Sequence, residues 1–166
     1  MQRETDDDPA VVTGEAGDVR GVFEEIPILL IGMAGPRHEV IAVNAAYRTT
    51  MGRDRLVGTS VYDAFPEVVG QHLFEMLDRV YATGVPQVAR AWRFQYEREP
   101  GSGVLDEAYF DFTVSPRVDE HGTVVGLTCY SVDTTEQVLE QRRMQRQAAE
   151  AEQRYERARD VITALQ

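Results

Sequence analysis

Three histidines, one cysteine and a set of cations that are all arginine are the side chains with chemistry to offer, and their spacing decides how much of it is usable. A zinc site needs ligands in close sequence pairs. His38 and His121 fall in turn-like stretches, His72 stands beside Gln71 just before Leu73, and Cys129 pairs with none of them at such a spacing, so no metal site is expected. Ser102 lies between Gly101 and Gly103 in a flexible turn, without the His and Asp signature that would make it a nucleophile. The absence of lysine among 17 basic residues removes Schiff-base chemistry and the phosphate-binding lysine of P-loops. Carboxylates scatter over the start of the chain, the turns and the C-terminal segment. No catalysis is expected of this chain.

The balance of charge bounds the partners. A formal charge of -11 disfavours nucleic acid and acidic membrane surfaces, both of which recruit proteins through basic patches. One cysteine excludes an intrachain disulfide and fits a reducing compartment. The first residues lack the apolar core of a signal peptide and no run of about 20 apolar residues is present, so a cytoplasmic location is expected.

Residues 1–18 are acidic and nearly free of large apolar side chains, which predicts a disordered tail. Asp18 is placed to cap a short amphipathic helix over 19–26 through Val19, Val22, Phe23 and Ile26, ended by Pro27. Strands are expected over 27–33 and 39–43, joined by the turn Gly35-Pro36-Arg37-His38. At Asn44, a good N-cap, the period changes to a short helix closed by Gly52. A second short helical region follows to Pro66, and 69–83 predicts an amphipathic helix with Leu73, Met76, Leu77, Val80 and Tyr81 on one face. Three longer strands over 85–98, 105–118 and 123–132 alternate at period two, as in Trp92, Phe94 and Tyr96 or Phe110, Phe112 and Val114. Their linkers carry hairpin turn chemistry, so antiparallel neighbours are expected.

From Thr135 to Gln166 there is neither Gly nor Pro, only good helix formers. A helix of about 45 Å cannot bury itself against a small domain. Met144, Ala148, Ala151, Tyr155, Ala158, Ile162 and Leu165 recur at alternating spacings of four and three, which is a coiled-coil seam seeking a partner helix. Its alanines make that seam thin, and Arg154 would face Arg159 of a parallel copy. A helix folded back on its own domain is the alternative.

This order of elements resembles the PAS sensory family over roughly 19–138. The resemblance is carried by Phe23-Glu24-Glu25-Ile26-Pro27, Val43-Asn44-Ala45-Ala46-Tyr47, Met51-Gly52 with Leu56-Val57-Gly58, Phe65-Pro66-Glu67, Arg79-Val80-Tyr81-Ala82-Thr83-Gly84, and Gly122-Thr123-Val124-Val125-Gly126 leading to Asp133-Thr134-Thr135. It implies an α+β fold: a five-stranded antiparallel sheet with short helices on one face over 19–133, and a signalling coiled-coil helix over 134–166. It also implies a cavity between sheet and helices, with Leu30, Tyr47, Met51, Phe65, Leu77, Trp92, Phe94, Phe112 and Leu127 as lining candidates. That cavity either takes a small apolar ligand or is filled by its own side chains. Asn44, Asp133, Thr134 and Thr135 are the implied coupling positions, the last three as the joint between the final strand and the exit helix. The reactive cysteine of flavin photoreceptors is missing from the helical region, and Cys129 in the last strand reads as a small buried hydrophobe. Haem has only His72 as an axial candidate, and that residue reads better as a surface histidine at a helix start, so no cofactor is expected.

The resemblance implies a sensor and dimerisation module feeding an effector in cis or a partner protein. Arg159 to Gln166 is similar to the linker that precedes PPM-type, sporulation-phosphatase-like serine phosphatases in actinobacterial regulators of anti-sigma antagonists, hence of transcription. A histidine kinase is the other destination, although no phosphoacceptor histidine follows Asp133. A ligand-free interaction domain is the competing function.

Overall fold

A computed structural model describes residues 12–166. The period-two stretches form one antiparallel sheet: β1 (Leu29–Ala34), β2 (Glu39–Val43), β3 (Gln87–Tyr96), β4 (Asp106–Val118) and β5 (Val124–Asp133), in spatial order β2-β1-β5-β4-β3. The last strand is thus inserted at the centre, Ile31 opposite Cys129 on one side and Val114 opposite Cys129 on the other. The helices are α1 (Ala16–Glu25), α2 (Ala45–Met51), α3 (Val61–Ala64), α4 (Leu73–Thr83) and α5 (Thr135–Ala164), with a 3-10 turn at Pro66–Val68.

The core lies between one sheet face and α2, α3 and α4. Ile31, Met33, Phe94, Phe110, Phe112, Val114 and Leu127 from the strands meet Tyr47, Val61, Phe74, Leu77 and Val80 from the helices. Asn44 caps α2 by accepting from the Tyr47 amide at 3.1 Å, and Ser60 caps α3 in the same manner from Tyr62.

Several local expectations shift. Helix α1 begins at Ala16 with Glu15 at its N-cap, and Asp18 sits inside the first turn without capping it. Residues 16–18, expected in the tail, are therefore helical, while 1–11 lie outside the described residues. The helix expected from residue 69 starts at Leu73, because Gly70 and His72 adopt left-handed backbone conformations that interrupt the first turn. Phe74 joins its buried face. Along β1 the buried residues are Leu29, Ile31 and Met33, so Leu30 points to the opposite side of the sheet from the core.

Side chains ahead of α4 bond the outer backbone of β3. Gln71 accepts from the Gln95 amide at 2.8 Å and donates to its carbonyl at 2.6 Å, and Glu67 accepts from the Glu97 amide at 3.1 Å. Arg53, 7% exposed, pairs with Glu67 and donates to the carbonyls of Ala64, Met51 and Glu97. Its guanidinium also stacks over Phe65 at 4.2 Å.

Gly52 ends α2 at a φ of 66°, and a Cβ there would lie 1.9 Å from the Arg98 carbonyl oxygen. Gly52→Ala is therefore expected to lower unfolding free energy by about 2–4 kcal/mol in chemical denaturation. A loss under about 0.5 kcal/mol would show that Arg98 moves aside freely.

Candidate functional site

Two adjoining voids of about 70 and 60 Å³ lie between the sheet and the helices. Tyr47, Met51, Phe65, Leu73, Phe94 and Phe110 border both, and Ile31, Met33, Leu77, Phe112, Cys129 and Ser131 are among those that line the larger one alone. Among the lining candidates from the sequence, the structure brings Tyr47, Met51, Phe65, Leu77, Phe94 and Phe112 together. Leu30 faces away from the core. Leu127 is fully buried in the core without lining either void. Trp92 packs against Phe112 and Phe94 at 5.9 and 6.3 Å, then opens onto an outer cleft with Gln71 and His72. A one-residue phase error on β1 explains Leu30, and a bulge between Ala89 and Trp92 displaces the start of β3.

The voids are small. Pockets for drug-sized ligands run to about 300–1,000 Å³, so neither a haem nor a flavin fits the core as folded. His72 is exposed at the start of α4, away from the voids. Burial pushes the Cys129 thiol up to about 11 and raises the Tyr47 phenol well above its usual range, so both stay protonated. Among the described residues no cluster of three or more His, Cys, Asp or Glu is placed to hold a metal ion.

Behind the voids, on the other side of the sheet, is the joint with α5. Asp133 accepts from the Thr135 amide at 2.9 Å and from its hydroxyl at 2.5 Å. The Thr135 hydroxyl oxygen in turn accepts from the Tyr109 amide at 3.0 Å, and the Thr134 amide donates to the Tyr109 carbonyl at 2.8 Å. Asp133, Thr134 and Thr135 thus form one unit with β4. Tyr109, 3% exposed, is the residue that the sequence analysis missed. Its hydroxyl accepts from Arg142 at 2.6 Å and donates to Glu107 at 2.8 Å, and the Arg142 guanidinium lies 4.8 Å from its ring centre. Arg93 completes the chain by donating to Glu107 at 2.5 Å. Period-two reading of β4 put Tyr109 outward; nothing local announced that a helix two turns into α5 would cover it.

Asn44 is built into a different corner. It is fully buried, accepts from the Leu30 amide and donates to the carbonyls of Ile26 and Ile28 at 3.1 and 2.8 Å, so it ties the end of α1 to β1 and does not touch Asp133 to Thr135. His38, expected in a turn without companion metal ligands, is also fully buried. Its Nε2 lies 2.7 Å from Asp78, whose same oxygen accepts from the Tyr62 hydroxyl at 2.5 Å, pinning the β1–β2 turn to α4.

A family model described as the PAS fold matches residues 23–139. The chain belongs to the PAS family. Solved structures agree on the fold of this PAS domain. An RNA-binding light-oxygen-voltage receptor is 14% identical with a TM-score of 0.64, over 93% of this chain and 41% of its own. The VqmA dimer of Vibrio cholerae in the absence of its target DNA, described among LuxR-type receptors, is 18% identical with a TM-score of 0.57, over 74% and 53%. A sensory box sensor histidine kinase from Vibrio cholerae is 16% identical with a TM-score of 0.50, over 76% and 97%. The chain therefore spans less than two thirds of the first two proteins.

Two outcomes test the joint. Tyr109→Phe keeps the ring but loses the hydroxyl, and is expected to speed amide exchange over 135–142 and lower stability by about 1 kcal/mol. Acid should act on the same place, since the Arg93 and Tyr109 hydrogen bonds hold the Glu107 carboxyl below 4.5. A depressed carboxylate stabilises fully above its unfolded value and loses that contribution as pH falls through the lower folded one. Exchange over 135–142, corrected for intrinsic rates, should be flat from neutral pH to about 5 and rise below 4.5, less so in Glu107→Gln.

Proposed function

We propose that this PAS domain is a sensory and dimerisation module without chemistry of its own, relaying a change in its core through α5 to an effector. The observation that carries this reading is the position of β4, whose Phe110 and Phe112 border the voids while the preceding Tyr109, on the opposite face, holds the helix. A shift of one face moves the anchor on the other.

Dimerisation is supported by α5. Met144, Tyr155, Ile162 and Leu165 are 61, 72, 60 and 82% exposed, and Ala148, Ala151 and Ala158 are exposed as well. The helix leaves the sheet after its contact with Tyr109 and does not fold back, which favours a partner helix over the monomeric alternative. Among the described residues no helix is long and apolar enough to cross a membrane. Charge of -11 supports protein and small-molecule partners over nucleic acid; the RNA-binding and DNA-binding neighbours are larger proteins, of which this chain spans 41% and 53%.

For the effector, the sensor kinase neighbour supports a histidine kinase, while the segment from Arg159 to Gln166 supports a PPM-type phosphatase acting in an anti-sigma pathway. Both use the same lever. A ligand-free interaction domain is the second reading, favoured by the small size of the voids.

Sedimentation equilibrium at micromolar concentration is expected to give twice the chain mass, and Ile162→Glu to give a monomer with unchanged sheet signal in circular dichroism. A parent chain that stays monomeric into the high micromolar range sinks the dimer reading.

A further inference from the structure

The contact between His38 and Asp78 fixes a carboxylate as well as a turn. His38 is fully buried, yet its Nδ1 has no hydrogen-bond partner among the described residues, and its backbone takes a left-handed φ of 53° that a non-glycine residue rarely adopts. Buried polar atoms are normally paired. The ring's one polar contact is the 2.7 Å approach of Nε2 to Asp78 Oδ1. Tyr62 donates to that same oxygen at 2.5 Å; burial, and then this bond, raises its phenol well above the usual range, so it remains a donor. Two unfavourable features are thus retained behind a carboxylate that is held from two sides.

Asp78 is itself accessible, with its side chain 56% exposed. Both bonds it accepts go to Oδ1, so the lone pairs of Oδ2 are unused among the described residues. The carboxylate borders an open cleft of about 540 Å³ whose other walls are Pro36, Arg37, Tyr62 and Tyr81. Arg37 is exposed, makes no ion pair among the described residues, and shares with Asp78 an electrostatic influence on Tyr62. A carboxylate with a vacant oxygen and a guanidinium without a counter-charge therefore line one cleft, and no salt bridge joins them. A simple cation is attracted by the first and repelled by the second, and a simple anion the reverse. A zwitterion suits both.

We propose that this cleft binds a free α-amino acid, its ammonium on Asp78 Oδ2, its carboxylate on the Arg37 guanidinium, and an aromatic side chain against Tyr62 and Tyr81. The planar fork of arginine matches a carboxylate in two bonds, and the ring faces of the tyrosines also favour the ammonium. His38 is the positioning residue, since it touches only the carboxylate that receives the ligand. None of the five cleft residues lines the core voids, so the site is separate from them and does not depend on the relay through α5.

The probes are L-phenylalanine, phenylpropanoate, which lacks the ammonium, and phenethylamine, which lacks the carboxylate. Each is titrated into the full chain labelled with heavy nitrogen, and the backbone amides are followed by magnetic resonance. L-Phenylalanine is expected to give saturable shifts at Arg37, Tyr62 and Asp78 and none at Phe112 and Cys129 beside the voids. Each truncated analogue should bind about tenfold more weakly. Arg37→Gln, at an exposed position, is expected to weaken L-phenylalanine about tenfold and to leave phenethylamine no weaker, because a like charge has gone. Asp78→Asn should weaken L-phenylalanine and spare phenylpropanoate; if that variant loosens the turn and lowers Tm, the Arg37→Gln ratio decides. Absence of saturable shifts, a ratio of L-phenylalanine to phenethylamine affinity unchanged by Arg37→Gln, or shifts centred on Phe112 and Cys129 would each overturn the assignment. Shifts at the cleft with silent α5 amides uphold the site and count only against the relay.

Discussion

Successive side chains on a strand must face opposite sides of the sheet, and on β4 this constraint joins everything else. Phe110 and Phe112 belong to the core; Tyr109 and Asp111 cannot, whatever their chemistry. A tyrosine on that outer face must be covered or wasted. The structure covers it with the first turns of α5, whose Thr135 bonds its amide and whose Arg142 caps its hydroxyl. Because β5 sits at the centre of the sheet, the chain leaves it beside β4 and reaches Tyr109 at once.

The bonds to Asp133 at this joint are charge-assisted but exposed, and those from Thr134 and Thr135 to the Tyr109 backbone are neutral, so each contributes little alone. The chain Arg93, Glu107, Tyr109, Arg142 differs in that its middle member is buried. Contrast the opposite corner, where Asn44 satisfies its whole amide against Leu30, Tyr47, Ile26 and Ile28 in full burial. Polar groups of that kind are costly to disturb. One end of the domain is locked and the other is held by modest bonds.

How much of this was legible in the residues follows from the range of the interactions. Elements set by local rules were readable: β2 occupies the expected 39–43, and Asn44 and Gly52 bound α2 as capping chemistry requires. The joint Asp133-Thr134-Thr135 was readable because a carboxylate and a hydroxyl at a strand end act on their neighbours. What failed was phase and long-range pairing. Leu30 is apolar in an apolar run, so periodicity could not say which face it took. His38 and Asp78 are 40 residues apart, and Tyr109 and Arg142 are 33 apart. No spacing rule connects such pairs before the topology does.

The side chains that bond the outer backbone of β3 have a bearing on how copies of this domain can meet. A sheet edge with free amides and carbonyls is a template for any passing strand, and it is the usual route to edge-to-edge aggregation. At Gln95 and Glu97 that template is already occupied, by an amide that mimics a neighbouring peptide unit and by the Arg53–Glu67 pair. Backbone-mediated pairing is blocked along that stretch of β3. A strand added beside β3 would first have to displace Gln71 and Glu67 from it.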